Sequence, residues 1–188
     1  MPGLFQNKYR IPSARLQTWN YANEGMYFIT ICTADREYYF GRIADGKMHP
    51  SELGKIAETE WFKTIELRPD MNLELGEFVV MPNHIHGIII IGSNQYNNDD
   101  TMNGGRDAMH GVSTKIQNKF GPQSKNLASI IRGYKSAITT YARKNKILFQ
   151  WQSRFHDHVI RSMDDYYRIS NYIINNPAQW QKDNFYAQ

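Results

Sequence analysis

Apolar residues along this chain recur with two different periods, and the switches between them predict the order of elements. Residues 26–33, Met26-Tyr27-Phe28-Ile29-Thr30-Ile31-Cys32-Thr33, are aromatic and β-branched without a charge among them, which predicts a central strand covered on both faces. After a Gly-containing connection, Leu53, Ile56, Ala57, Trp61 and Ile65 recur at helical spacing with charges between them, and that helix ends before Pro69. Residues 73–80 alternate as a strand, Met81-Pro82-Asn83 supplies a turn, and 84–91 supply the hairpin partner. From 92 to about 114 the pattern gives way to Asn, Asp, Gly and Ser; we read a mobile insertion, at about 92–125, within one domain. Helical spacing returns at Leu127, Ile130, Ile131, Tyr134, Ile138 and Tyr141. A short strand fits 155–160, and Ser162-Met163-Asp164-Asp165 opens a capped helix through Tyr166, Ile169, Tyr172 and Ile173 that stops at Asn175-Asn176-Pro177. The order β-α-β-β-α-β plus a helix predicts an α+β fold, a ferredoxin-like antiparallel sheet with an additional C-terminal helix.

At 188 residues and 41% hydrophobic content the chain supports one core, so 1–188 is read as a single domain. The formal charge of +4 is unevenly spread: residues 127–161 carry Arg132, Lys135, Arg143, Lys144, Lys146, Arg154 and Arg161 against Asp157 alone. Such a block either meets a phosphate-bearing partner or is a solvated face. With Cys32 the only cysteine, an intramolecular disulfide and a Cys-rich zinc site are both excluded. Neither a signal-peptide core nor an apolar run of roughly 20 residues is present, so the expectation is a soluble cytoplasmic protein without a membrane partner.

The candidate chemistry begins with His84-Ile85-His86. Side chains two apart on a strand share a face, so both imidazoles project together beside a turn, a geometry for holding a metal ion or simply two polar residues at a hairpin. Imidazole alone does not select Mg²⁺, so an oxygen ligand is needed from elsewhere. Tyr172 and Asn176, four apart, share one face of the last helix. The Asn176 amide oxygen could complete such a site, with the Tyr172 phenol attacking a metal-bound phosphate; alternatively Tyr172 is one of 12 tyrosines filling a core position.

The string Val79-Val80-Met81-Pro82-Asn83-His84-Ile85-His86-Gly87-Ile88, with Phe155-His156-Asp157-His158-Val159-Ile160-Arg161 and Asn171-Tyr172-Ile173-Ile174-Asn175-Asn176-Pro177 downstream, resembles the IS200-type single-tyrosine transposases. These belong to the HUH endonuclease superfamily, and the resemblance is closest to the branch associated with repetitive extragenic palindromes (REP). It implies a DNA transposase that cleaves and rejoins single-stranded or hairpin DNA through a 5′-phosphotyrosine, with Mg²⁺ or Mn²⁺ as cofactor. His84 and His86 match the family's metal ligands, Tyr172 its nucleophile, and Asn176 falls where the third ligand is expected, a position held by Gln in the insertion-sequence relatives. His158 matches a common family histidine, for which a supporting role toward phosphate or the Tyr172 helix is expected; His156 is outside the pattern. Arg132, Lys135 and Arg143 are the candidates for DNA-backbone contact. The site is built within one chain or across a homodimer. The alternative is a domesticated, non-cleaving hairpin-DNA-binding regulator on the same fold.

Overall fold

The computed structural model describes residues 19–97 and 124–186. Its elements run β1 (Gly25–Cys32), β2 (Gly41–Ala44), β3 (Lys47–Pro50), α1 (Glu52–Glu66), β4 (Leu73–Val80), β5 (His84–Ile91), α2 (Leu127–Lys144), β6 (His156–Ile160) and α3 (Met163–Asn175), followed by a short 3₁₀ segment, Pro177–Lys182. The large sheet has the order β4-β5-β1-β6 with every neighbouring pair antiparallel, the ferredoxin-like arrangement expected for β-α-β-β-α-β. β1 and β5, the two most apolar strands, take the middle, where both faces are covered.

Strand alternation sorts the side chains into two layers. Tyr27, Ile29, Ile31, Ile85, Ile89 and Ile91 face α1 and α2 and form the main core with Trp61, Ile130, Tyr134 and Ile138. Met26, Phe28, Ile88, Ile90 and Ile160 face α3, meeting Ile169 and Ile173. β4 needs a correction to keep its apolar residues on one side: the register shifts between Leu75 and Phe78, and this bulge lets Leu73, Leu75 and Phe78 all join the main core. Helix starts are capped as their sequences specify, Ser51 Oγ accepting from Gly54 N at 3.1 Å and Ser162 Oγ from Asp165 N at 3.1 Å.

Gly87 is where the two layers set a hard limit. A Cβ there would sit 2.4 Å from Trp61 Cζ2 and 3.1 Å from Phe78 Cδ2, and these two rings are stacked with centroids 4.7 Å apart. Gly87→Ala therefore forces the Trp61–Phe78 stack to move, and a loss of about 1–3 kcal/mol is expected in urea denaturation; an unchanged midpoint would show that the indole has room to yield.

One feature departs from the sequence reading. The connection after β1 holds a second, two-stranded sheet, β2–β3, turned at Asp45-Gly46 with φ of 50° and 68°, the left-handed pair of a tight hairpin. Most of the insertion expected at about 92–125 lies outside the described residues. Its flanks meet at one place: Tyr96 Oη donates to Asp70 Oδ2 at 2.6 Å, and Lys125 pairs with the same carboxylate oxygen. Among the described residues no helix is long and apolar enough to cross a membrane.

Candidate active site and metal centre

β5 determines where the site lies, because its even-numbered residues project from the face away from α1 and α2. His84 and His86 are 0% and 1% exposed, with ring centroids 4.5 Å apart. Each has Nδ1 occupied by a neighbour. His84 Nδ1 donates to Asn83 Oδ1 at 2.9 Å, which fixes the tautomer and leaves a lone pair on Nε2. That Nε2 is buried and meets no hydrogen-bond partner among the described residues. His86 Nδ1 lies 2.9 Å from the hydroxyl of its cross-strand neighbour Thr30, and its Nε2 is 3.2 Å from Tyr172 Oη. Burial pushes the His84 pKa well below the usual value and that of His86 down to about 4, so both rings are neutral at pH 7, the form that ligates metal.

α3 and the segment after it bring the remaining groups. Ile169 and Ile173 dock α3 on the sheet, which sets Tyr172 beside the histidines with its ring perpendicular to that of Phe28. The Tyr172 phenol also donates to Asp183 Oδ2 at 3.2 Å, and Asn176 Nδ2 donates to the same oxygen at 2.7 Å. Ligand atoms of His84, His86 and Asp183 all lie within 4.8 Å of one another. Asn176 Oδ1, like His84 Nε2, is buried without a partner among the described residues. Leaving such atoms unpaired costs roughly 1–3 kcal/mol each, a cost that a ligand on their lone pairs would remove. Two neutral imidazoles with carboxylate and amide oxygens fit a divalent cation by geometry and chemistry.

Burial, reinforced by the Asp183 charge, pushes the Tyr172 phenol up to about 12. Asp183→Asn removes the charge but not the burial, so the phenol is expected to titrate at lower pH in this variant, measured on ¹³C-labelled tyrosine in metal-free protein. An unchanged titration would separate Asp183 from the phenol.

The structure thus gathers His84, His86, Tyr172 and Asn176 in one chain and adds Asp183, which no sequence spacing marks: it follows Gln181-Lys182 in a polar tail. Only the Pro177–Lys182 turn brings it back toward the histidines. Over the pair lies Phe185, its ring centroid 4.6 Å from His84, and Arg36 lies over Phe185 in turn. His158 Nε2 contacts Asp165 Oδ2 at 2.8 Å, tying β6 to the first turn of the helix that carries Tyr172. His156 is exposed on the same sheet face, with Thr30 between it and His86 in register.

The three basic candidates are placed differently. Arg132, Lys135 and Arg143 ride on α2, which packs on the sheet face opposite the histidines. Lys135 Nζ donates to the carbonyls of Gln152 and Arg154 at 2.8 and 3.0 Å, so most of its donor capacity holds α2 to the segment before β6.

No family model matches the chain. It is 36% identical over 176 residues, 93% of its own length and 92% of the other's, to an uncharacterized protein of Haemophilus influenzae. Among solved structures, a REP-associated tyrosine transposase bound to a REP hairpin superposes with a TM-score of 0.56 at 18% identity, covering 90% of this chain and 74% of that one. The chain belongs to one family with the Haemophilus influenzae protein, and its fold is that of the REP-associated tyrosine transposase.

Proposed function

We propose that this protein is a DNA transposase acting as a single-strand endonuclease, with Tyr172 as nucleophile and hairpin-forming single-stranded DNA as substrate. The observation that carries this reading is the 3.2 Å approach of Tyr172 Oη to His86 Nε2, beside two buried polar atoms without partners among the described residues. The solved structure of similar fold is bound to a REP hairpin, which supports the same class of partner here.

Mg²⁺ or Mn²⁺ would be held by His84, His86 and Asp183, with Asn176 Oδ1 as the further oxygen. When bound, the ion supplies Lewis-acid polarisation of the scissile phosphate and neutralises its charge. Tyr172 Oη attacks phosphorus; the new O–P bond forms as the bond to the 3′-oxygen breaks, and that oxygen leaves with the electron pair and takes a proton from water to become the 3′-hydroxyl. Asp183 Oδ2, already accepting the phenol's hydrogen bond, orients Oη for the attack, and the phenol's proton passes to water as the bond forms. Reversal, with a 3′-hydroxyl of another strand attacking the phosphotyrosine, joins DNA without an external energy source. Asn83 and Thr30 hold the two imidazoles in position throughout.

The test is incubation with labelled hairpin DNA and Mn²⁺ followed by a denaturing gel, with a covalent protein–DNA adduct expected at the peptide containing Tyr172. DNA binding with no adduct across a broad panel of hairpins would overturn the nuclease in favour of the non-cleaving regulator.

A further inference from the structure

Asn83, the last residue of the turn before β5, is 1% exposed, and its amide reaches three other parts of the site. Its Nδ2 donates to the backbone carbonyls of Arg36 at 3.1 Å and Phe185 at 2.8 Å, and its Oδ1 accepts from His84 Nδ1 at 2.9 Å. A turn asparagine ordinarily bonds backbone two to four residues away; these two carbonyls lie 47 and 102 residues away. The backbone of Asn83 is itself anchored, its carbonyl accepting from Thr33 N at 2.9 Å beyond the end of β1. On the other side of the amide, Asp35 and Arg36 are both left-handed, with φ of 52° and 58°, a conformation that non-glycine residues hold at a cost.

These contacts permit one arrangement only. A backbone carbonyl can only accept, so the Asn83 amino group must face Arg36 and Phe185, and the amide oxygen is left for His84. That oxygen also only accepts, so the His84 proton is confined to Nδ1 and the Nε2 lone pair stays available. The same amide secures the segment that carries Asp183. Phe185 N donates to Asp183 Oδ1 at 2.6 Å, and Arg36 Nη1 donates to the Asn184 carbonyl at 2.9 Å. Asp183 Oδ2 is thereby left to accept from Tyr172 and Asn176 beside the histidines. We propose that Asn83 is a positioning residue that couples the two halves of the centre: one amide sets His84 in its ligating tautomer and seats residues 183–186 so that Asp183 meets the histidine pair. The role rests on the reading of His84, His86 and Asp183 as metal ligands.

The test asks how much Asp183 contributes to Mn²⁺ binding when Asn83 is changed, with free Mn²⁺ read by electron paramagnetic resonance on the full chain without DNA. In the parent, Asp183→Ala is expected to weaken Mn²⁺ binding by at least about tenfold. In chains already carrying Asn83→Ala or Asn83→Asp, the same substitution is expected to cost about threefold or less, because Asp183 is no longer held in place. Comparing the cost of Asp183→Ala across backgrounds cancels the direct effect of the charge that Asn83→Asp introduces. Asn83→Asp is isosteric and reads the coupling even if Asn83→Ala fails to fold. A second readout is the ¹⁵N spectrum of the imidazoles in metal-free protein: His84 is expected to hold its proton on Nδ1 in the parent and in Asn83→Asp, and to divide it between the two nitrogens in Asn83→Ala. An equal cost of Asp183→Ala in all three backgrounds, or no cost in the parent, would overturn the proposal, as would a fixed Nδ1–H tautomer in Asn83→Ala. The two readings fail separately. A protein that shows the coupling in Mn²⁺ binding yet forms no adduct with hairpin DNA loses the nuclease and keeps the role of Asn83; an adduct-forming protein in which Asp183 contributes equally in every background does the reverse.

Discussion

Tyr172→Phe is expected to lower the yield of covalent protein–DNA adduct by at least about 10³-fold while leaving hairpin affinity and folding stability close to those of the parent. The substitution is selective because of where the ring sits. Tyr172 is 42% exposed, and its aromatic contacts with Phe28 and His86, at 6.2 and 5.2 Å, are made by the ring and survive in phenylalanine. What disappears is Oη with its hydrogen bonds to His86 and Asp183. The phenol's pKa near 12 implies that the chain alone holds it protonated, so chelation by EDTA is expected to remove the adduct as completely as the substitution does. An adduct persisting in Tyr172→Phe would move the nucleophile to a neighbour on the same helix; Tyr167, 58% exposed, is the accessible one, whereas the Tyr166 hydroxyl is directed at Gly76 of β4.

The second large effect concerns acid. An unfolded histidine titrates near 6.5, but His86 in the fold titrates near 4 and His84 is shifted in the same direction, both chiefly through burial. Below pH 6.5 the unfolded chain therefore binds more protons than the folded one, so stability present at neutral pH is lost as pH falls toward 4. For His86 alone the loss between pH 7 and pH 5 is about 2 kcal/mol, a large fraction of the stability of a domain of this size. Urea denaturation of metal-free protein at the two pH values reads it directly. His86→Gln removes one titrating group and is expected to flatten the dependence; parallel curves for the two proteins would show that His86 is not held neutral by the fold.

Much of the architecture is legible in the residues because it depends on local period. The alternation of 73–80 and the apolar run of 84–91 about Met81-Pro82-Asn83 specify a hairpin, and β4 and β5 occupy the same residues in the structure. The apolar stripe from Leu127 likewise becomes α2, and Ser162 caps α3. The β2–β3 hairpin escaped because each arm is only four residues long, too short for a periodic signal, although Asp45-Gly46 is a turn dipeptide of the kind that joins strands. The basic stripe of α2 was visible as charge, but charge does not reveal which face of a sheet a helix covers.

What the sequence by itself determined is what depends on neighbours: the elements and their order, the shared face of His84 and His86, and the shared face of Tyr172 and Asn176, all consequences of strand and helix geometry. Only the tertiary structure decided that these two faces meet within one chain, that Asp183 joins them, and that α2 lies behind the sheet. The physical reason is that those relations are fixed by burial: α3 is held in place by Ile169 and Ile173 against Ile88 and Ile160, residues far apart along the chain whose pairing no local period encodes.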